Sequence, residues 1–154
     1  MRPETRTPIP ESGDTVTSQH ADVELLLPAE PESVGLARQM VRGILDSLGW
    51  SEESRTDISI AVTEACTNSV LHAYPDGEVD GGFEVHAWVG PERLVVAVRD
   101  KGRGISPKAP SAAAGLGLGL PLILAICDEV AFTSEEGVTE VRMTFSSTSR
   151  QATP

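Results

Sequence analysis

The sequence predicts an α/β two-layer sandwich, in which three helices cover one face of a mostly antiparallel mixed sheet. Three observations support this fold class. Apolar residues alternate with polar ones in several short stretches, which is typical of strands, and they recur at helical spacing in others. These stretches follow one another in the order β-α-α-β-β-loop-α-β-β. The chain has 154 residues, which is enough for one domain with a single core.

The first part of the domain is predicted to hold a strand and two helices. Alternating apolar residues indicate a strand over 21–27, which Pro28 ends. Acidic residues around Pro31 open a helix that stops at Gly49, because Pro and acids favour helix starts and Gly favours helix ends. A second helix is expected from residue 51 to about residue 73.

The middle of the domain is predicted to hold a hairpin followed by a long loop. A Pro-Asp-Gly sequence at 75–77 ends the second helix. Two strands over 83–89 and 94–98 are joined by a turn at 90–92. Residues 100–119 are rich in Gly, Ala, Pro and Ser and lack apolar periodicity. Loops of this length inside a compact domain are usually functional.

The last part of the domain is predicted to return to regular structure. A third helix is expected over 120–127, and a short strand around 130–132 follows it. A turn at 135–137 leads to the final strand, which is expected over 141–145.

Both ends of the chain differ in composition from its middle. Residues 1–19 are rich in Pro, Thr, Ser and Glu, which predicts a disordered N-terminal tail. Residues 147–154 are similarly polar and are expected to form a flexible C-terminal tail. The folded domain is therefore expected over residues 20–146.

The chain is acidic, and its charge argues against several classes of function. With 12 Lys and Arg against 23 Asp and Glu residues, its net charge is -11. Such a chain repels phosphate backbones and anionic lipids, so direct binding to nucleic acid or to a membrane is not expected. It has no apolar run near the roughly 20 residues of a membrane helix, and no secretory signal. Cys66 and Cys127 lack the spacing of a redox pair or a zinc site, so a reduced, cytoplasmic protein is expected.

The second predicted helix carries three polar residues at intervals of four. Glu64, Asn68 and His72 drift only about 40° per step around a helix, so they form one stripe beside its apolar face. An amide oxygen suits Mg²⁺, and a carboxylate one turn away could orient or deprotonate a nucleophile. The alternative is that Glu64 and Asn68 simply face water. His72 could be a phosphoacceptor or a base, but its position near the helix end favours a structural role.

A second motif follows the second strand of the hairpin. Asp100 is followed by Gly102 and Gly104, which let a backbone approach a flat ligand closely. An aspartate at a strand end can accept a hydrogen bond from an exocyclic amine. A plain Asp-Gly turn would give the same sequence.

A third motif opens the third helix. Gly115, Gly117 and Gly119 precede a helix start at Pro121, and such a start offers unpaired backbone N–H groups to phosphate. The motif lacks the Lys-Ser/Thr of a Walker sequence and is not preceded by a βαβ unit. A flexible loop is the alternative.

Together, the three motifs resemble the GHKL ATPase/kinase superfamily, which has the Bergerat fold. The resemblance covers residues 20–146, and its most specific part is Glu-x3-Asn-x3-His-Ala-Tyr at 64–74. Asp-x-Gly-x-Gly after a strand and Gly-x-Gly-Leu before a helix follow in the same order. Within the superfamily, the chain resembles the RsbW- and SpoIIAB-like family of anti-sigma-factor serine-protein kinases.

The resemblance implies a role for each motif residue on the phosphate side of a nucleotide site. Asn68 would coordinate Mg²⁺ bound to the ATP phosphates, and Glu64 would be the catalytic general base. Gly117 and Gly119 would line the phosphates at the helix start.

On the base side, the resemblance implies that Asp100 hydrogen bonds the adenine amino group. Gly102 and Gly104 would shape the adenine pocket, and residues 105–116 would form a lid over the nucleotide. Thr144, on the last strand, matches in position a threonine that helps to bind adenine in the superfamily.

The function implied by the resemblance is that of a serine/threonine protein kinase that is also an anti-sigma factor. Such a protein uses ATP and Mg²⁺, sequesters a sigma factor and phosphorylates a STAS-type anti-anti-sigma protein. Dimerisation is common in the resembled family, which leaves a homodimer open.

Three other functions are compatible with the residues. A nucleotide-binding regulator could act by protein binding without kinase activity, although an intact Glu64 favours the kinase. A histidine kinase would need a phosphoacceptor such as His72 and a helical dimerisation segment, and the sequence has no such segment. If the domain had a purely structural role, the three motifs would have to occur in this order by chance.

Overall fold

The computed structural model describes residues 20–72, 81–101 and 119–148, and its elements follow the predicted order. The predicted helix stop at 75–77 and nearly all of the predicted loop lie outside the described residues. The elements are β1 (Val23–Pro28), α1 (Pro31–Ser47), α2 (Glu52–His72), β2 (Gly82–Val89), β3 (Arg93–Asp100), α3 (Gly119–Ile126), β4 (Glu129–Glu135) and β5 (Val138–Ser146).

The five strands form one open sheet in the order β1-β2-β3-β5-β4. All described strand pairs are antiparallel, so the expectation of a mixed sheet is corrected. The reason is the position of β5. β3 and β4 run in the same direction, but β5 lies between them and pairs with both, so no parallel pair forms.

The junction between α1 and α2 is set by local backbone chemistry. Gly49 adopts a φ of 69°, a conformation that costs little only for glycine. Its N–H donates to the carbonyl of Asp46, and that of Trp50 donates to the carbonyl of Leu45, which together form a Schellman motif. Ser51 then accepts a hydrogen bond from the backbone N–H of Ser54 and caps α2. These two motifs fix where α2 begins.

The core lies between the sheet and a single layer of helices. α2 occupies the middle of this layer, with α1 on one side and α3 on the other. Burial of apolar surface here supplies most of the driving force for folding. The largest fully buried side chains are Phe83, Phe145, Leu45, Ile58, Leu94, Ile123, Met143, Val41, Val62, Val85, Val96 and Val98.

The other face of the sheet, which we call the outer face, carries paired charges. Glu140 accepts hydrogen bonds from Arg99 and from Arg142, the latter at 2.9 Å. The Arg142 guanidinium lies 4.9 Å from the ring centre of Trp88, and His86 stacks on the same ring. These side chains come from β2, β3 and β5, so the network ties three strands together.

None of the helices in the described ranges is long and apolar enough to cross a membrane.

Candidate functional site

α2 places Glu64 and Asn68 at the border between the core and solvent. The stripe of α2 that faces the core is buried and consists of Ile58, Ala61, Val62, Ala65 and Cys66. Glu64 and Asn68 lie beside this stripe and are half-buried, so they do not simply face water. Half-burial is costly for such groups unless they have a partner.

The start of α3 lies directly against these two side chains. A Cβ atom on Gly119 would lie 2.8 Å from Glu64 Oε2 and 3.7 Å from Asn68 Oδ1. A side chain at position 119 would therefore require the Glu64 carboxylate to move away from the helix start. Gly119 is also the first residue of α3, where backbone N–H groups lack partners within the helix and the helix dipole is positive. Carboxylate, amide oxygen and helix start therefore meet at one point.

Asp100 is attached to the same helix by a buried hydrogen bond. The Ser69 hydroxyl donates to Asp100 Oδ2 at 2.9 Å. Both residues are buried, at 5% and 8% exposed. Because Ser69 directly follows Asn68, consecutive residues of α2 serve the two ends of the site. Asn68 and Asp100 thus lie on the same side of the molecule.

Asp100 is the middle residue of a row across the sheet. Phe83 of β2 and Thr139 of β5 are its direct partners in register. Side chains at directly opposed positions share a face, so all three point towards the helices. Thr139 is buried, at 6% exposed, and belongs to the neighbourhood of the Asp100 carboxylate.

The position predicted for Thr144 is therefore corrected. Thr144 pairs with Val95, five residues before Asp100 on β3. An offset of five residues is odd, so Thr144 lies on the outer face of the sheet. Thr139 takes the place next to Asp100, and its alternation with the apolar residues of β5 was the signal that could have identified it.

Several predicted site residues lie outside the described part of the chain. These are Gly102, Gly104, Gly117 and the predicted lid at 105–116. His72 is the last residue of α2, and the structure describes its backbone only. Ser69 was missed by the sequence analysis, although a polar residue on the buried stripe of a helix is itself a signal.

The residues at the start of α3 suit a cation shared with an anionic ligand. No cluster of three metal-ligating His, Cys, Asp or Glu side chains occurs among the described residues. Mg²⁺ is commonly held by one or two protein groups together with phosphate oxygens. The Asn68 amide oxygen and the Glu64 carboxylate, both next to Gly119 at the start of α3, match that mode of binding.

Cys66 belongs to the core and not to the site. It is fully buried, and loss of hydration by burial raises the pKa of its thiol to about 12. The thiolate is therefore disfavoured, and Cys66 is chemically inert at neutral pH. Cys127 is half-buried.

Comparison with known proteins identifies the family of this chain. The histidine kinase-like ATPase domain matches residues 27–145, which include all three helices, β2 to β4, the end of β1 and nearly all of β5. The chain belongs to this family.

Within the histidine kinase-like ATPase family, the chain is similar to the serine-protein kinase RsbW. It is 39% identical to RsbW of Bacillus velezensis over 130 residues, covering 76% of this chain and 81% of that protein. It is 36% identical to RsbW of Bacillus subtilis over the same length. RsbW of Listeria monocytogenes is 36% identical over 139 residues, covering 82% of this chain and 88% of that protein. The chain thus groups with the RsbW branch of the family.

Solved structures agree with this fold. The RsbU and RsbW domains of a Mycobacterium tuberculosis protein superpose with a TM-score of 0.61 at 22% identity, covering 80% of this chain and 32% of that one. A histidine kinase domain from Erythrobacter litoralis superposes with a TM-score of 0.52. At these identities the likeness concerns the fold alone.

Proposed function

We propose that this protein is an ATP-dependent serine kinase and an anti-sigma factor. In this proposal it sequesters a sigma factor and transfers the γ-phosphate of ATP to a serine of a STAS-type anti-anti-sigma protein. Membership of the histidine kinase-like ATPase family supports ATP as the phosphoryl donor. The relatives named serine-protein kinase RsbW support a protein serine as the acceptor.

One observation carries the proposal. A single turn of α2 reaches both groups of the site: Asn68 lies beside the start of α3, and Ser69 donates a hydrogen bond to Asp100 at the end of β3. A triphosphate at the helix start and an adenine at the carboxylate would therefore be bound by the same rigid element. Phosphoryl transfer depends mainly on such positioning and on charge neutralisation.

On the phosphate side, Asn68 is proposed to hold Mg²⁺ through its amide oxygen, and the backbone N–H groups at the start of α3, beside Gly119, are proposed to contact the phosphates. Mg²⁺, when bound, neutralises charge on the phosphates. Gly117, outside the described residues, stays a prediction for the same phosphate contact.

On the base side, Asp100 is proposed to accept a hydrogen bond from the adenine amino group, with Thr139 beside it in place of Thr144. Gly102 and Gly104 remain predictions for the walls of this pocket.

Glu64 is proposed to be the catalytic base. Its carboxylate lies next to Asn68 at the helix start, where an acceptor hydroxyl would approach the γ-phosphate. There Glu64 can accept the hydroxyl proton as the new P–O bond forms. Half-burial keeps the side chain ordered, while one edge stays open to a partner protein.

The proposed partners fit the charge of the chain. A net charge of -11 favours partners with basic patches, and electrostatic attraction of this kind raises association rates. The sigma factor and the STAS-type protein are both proposed to bind as proteins, without direct contact of this chain to nucleic acid.

The test is the variant Glu64→Gln, which keeps the shape of the side chain but cannot accept the proton. Transfer of the γ-phosphate from ATP to a STAS-type protein is measured in single turnover, and ATP affinity is measured separately. We expect transfer to fall by about 10²- to 10⁴-fold. ATP affinity should change by less than about threefold, because a base acts on the acceptor and not on nucleotide binding.

The matched control is Glu53→Gln, which alters an exposed acid in the first turn of the same helix. It should transfer phosphate at the wild-type rate. If Glu64→Gln also transfers normally, Glu64 is not the base. If the wild type binds ATP but yields no phosphoserine, the protein is a nucleotide-binding regulator that acts by protein binding alone.

A further inference from the structure

We infer that Ser69 is a positioning residue for adenine recognition, acting through Asp100. The inference rests on the proposed function, because it assumes that Asp100 accepts a hydrogen bond from the adenine amino group. It adds a residue for which the sequence analysis found no role.

The contact between Ser69 and Asp100 is direct. The Ser69 hydroxyl donates to Asp100 Oδ2 at 2.9 Å across a sequence separation of 31 residues. A carboxylate offers about four acceptor positions on its two oxygens. The donated bond restricts rotation of the carboxylate and so sets the direction of its other lone pairs.

Ser69 and Asp100 are both buried. Asp100 lies between Phe83 and Thr139 in the sheet, and Phe83 is fully buried. In such surroundings, a hydrogen bond to a charged group is stronger than in water. The Ser69 hydroxyl is the donor that α2 supplies there, and its removal would leave the carboxylate less well held.

Ser69 directly follows Asn68 on α2, so the residue that holds Asp100 and the proposed metal ligand lie in the same helical turn. A shift of Asp100 is therefore coupled to the phosphate end through a rigid element. This geometry assigns Ser69 to discrimination between bases and not merely to stability.

The experiment measures the affinities of two nucleotides for two variants. The nucleotides are ATP and purine riboside triphosphate, which is the same molecule without the 6-amino group. The variants are Ser69→Ala and the matched control Ser59→Ala. Ser59 is a buried serine of the same helix whose hydroxyl donates to the backbone carbonyl of Arg55 at 2.6 Å.

The wild type should prefer ATP by at least about tenfold, because Asp100 pairs with the amino group. Ser69→Ala should bind ATP about tenfold more weakly, while its affinity for purine riboside triphosphate changes by less than about twofold. Ser59→Ala should retain the wild-type preference. The ratio of the two affinities within one variant is independent of the fraction of folded protein, so partial unfolding cannot imitate the result.

The outcomes separate the inference from the proposed function. If the wild type prefers ATP and Ser69→Ala keeps the full preference, Ser69 has no positioning role and the proposed function stands. An equal loss for both nucleotides in Ser69→Ala would assign Ser69 to structure alone. If the wild type binds both nucleotides equally, or neither, the proposed adenine pocket at Asp100 is wrong.

Discussion

The two faces of the sheet treat polar side chains in opposite ways. On the outer face, Arg99, Arg142 and Glu140 pair with one another, and Arg142 also covers the ring of Trp88. On the face under the helices, apolar residues fill the core, and among the described strand residues a carboxylate points to this face only where β3 ends at Asp100.

The difference indicates what each set of polar groups is for. The outer charges pair with one another and are partly exposed to solvent. Asp100, by contrast, is buried at the end of an apolar wall, where a charge is costly to maintain. Buried charged groups of this kind occur preferentially at functional sites. Polar residues under the helices are thus expected to control ligand binding, and those on the outer face to control stability.

The largest effect is expected for Asp100→Asn. With its oxygen accepting from Ser69, the Asn amide would present its NH2 group to the adenine amino group; two donors would then face each other, so ATP affinity should fall by about 10- to 100-fold. The free energy of unfolding should change by less than about 1 kcal/mol, because the Asn oxygen can still accept from Ser69. Calorimetric titration and denaturant unfolding measure the two quantities. If the variant lost much of its stability but bound ATP normally, Asp100 would serve stability and not ligand binding.

An intermediate effect is expected from Cys66, in the apolar layer between helices and sheet. The thiol ionises near 9.0 in the unfolded chain but only at about 12 in the folded protein. Stability is therefore full below pH 9 and is lost as the pH rises towards 12. Between pH 7.5 and pH 10, the free energy of unfolding should fall by roughly 1.4 kcal/mol from this group. Denaturant titrations of the wild type and Cys66→Ala measure it, and an identical fall in both proteins would contradict the assignment.

The smallest effect is expected for Arg142→Gln on the outer face. The change removes an ion pair to Glu140 and a cation–π contact to Trp88, both partly exposed to solvent. We expect a loss of about 0.5–1 kcal/mol in the free energy of unfolding, smaller at high salt. ATP affinity should stay at the wild-type value. A clear loss of ATP affinity in this variant would show that the two faces are not separate.

Local chemistry in the sequence was sufficient for most of the fold. Gly49 predicted the end of α1, and the turn at 90–92 predicted the hairpin, because both depend on nearest neighbours in the chain. The order of the strands could not be predicted in this way. Nothing in the alternation of β5 says that it inserts between β3 and β4, since that choice depends on packing across the whole domain.

The candidate site divides along the same line. Glu64 and Asn68 were predicted from helical spacing, and the structure brings both to Gly119. Thr144 was misplaced because the register between β3 and β5 is a long-range property, and an odd shift moves a side chain to the other face. Ser69 was missed because its partner lies 31 residues away in sequence, beyond any helical or strand periodicity.

The interior position of β5 has a consequence for biosynthesis. β5 is synthesised after β3 and β4, yet both of these strands pair with it. Contacts between distant parts of a chain form slowly, because the entropy of closing the loop is lost first. A nascent chain that has already produced Asp100 still lacks the neighbouring strand, so the proposed ATP site is complete only after β5 has been synthesised.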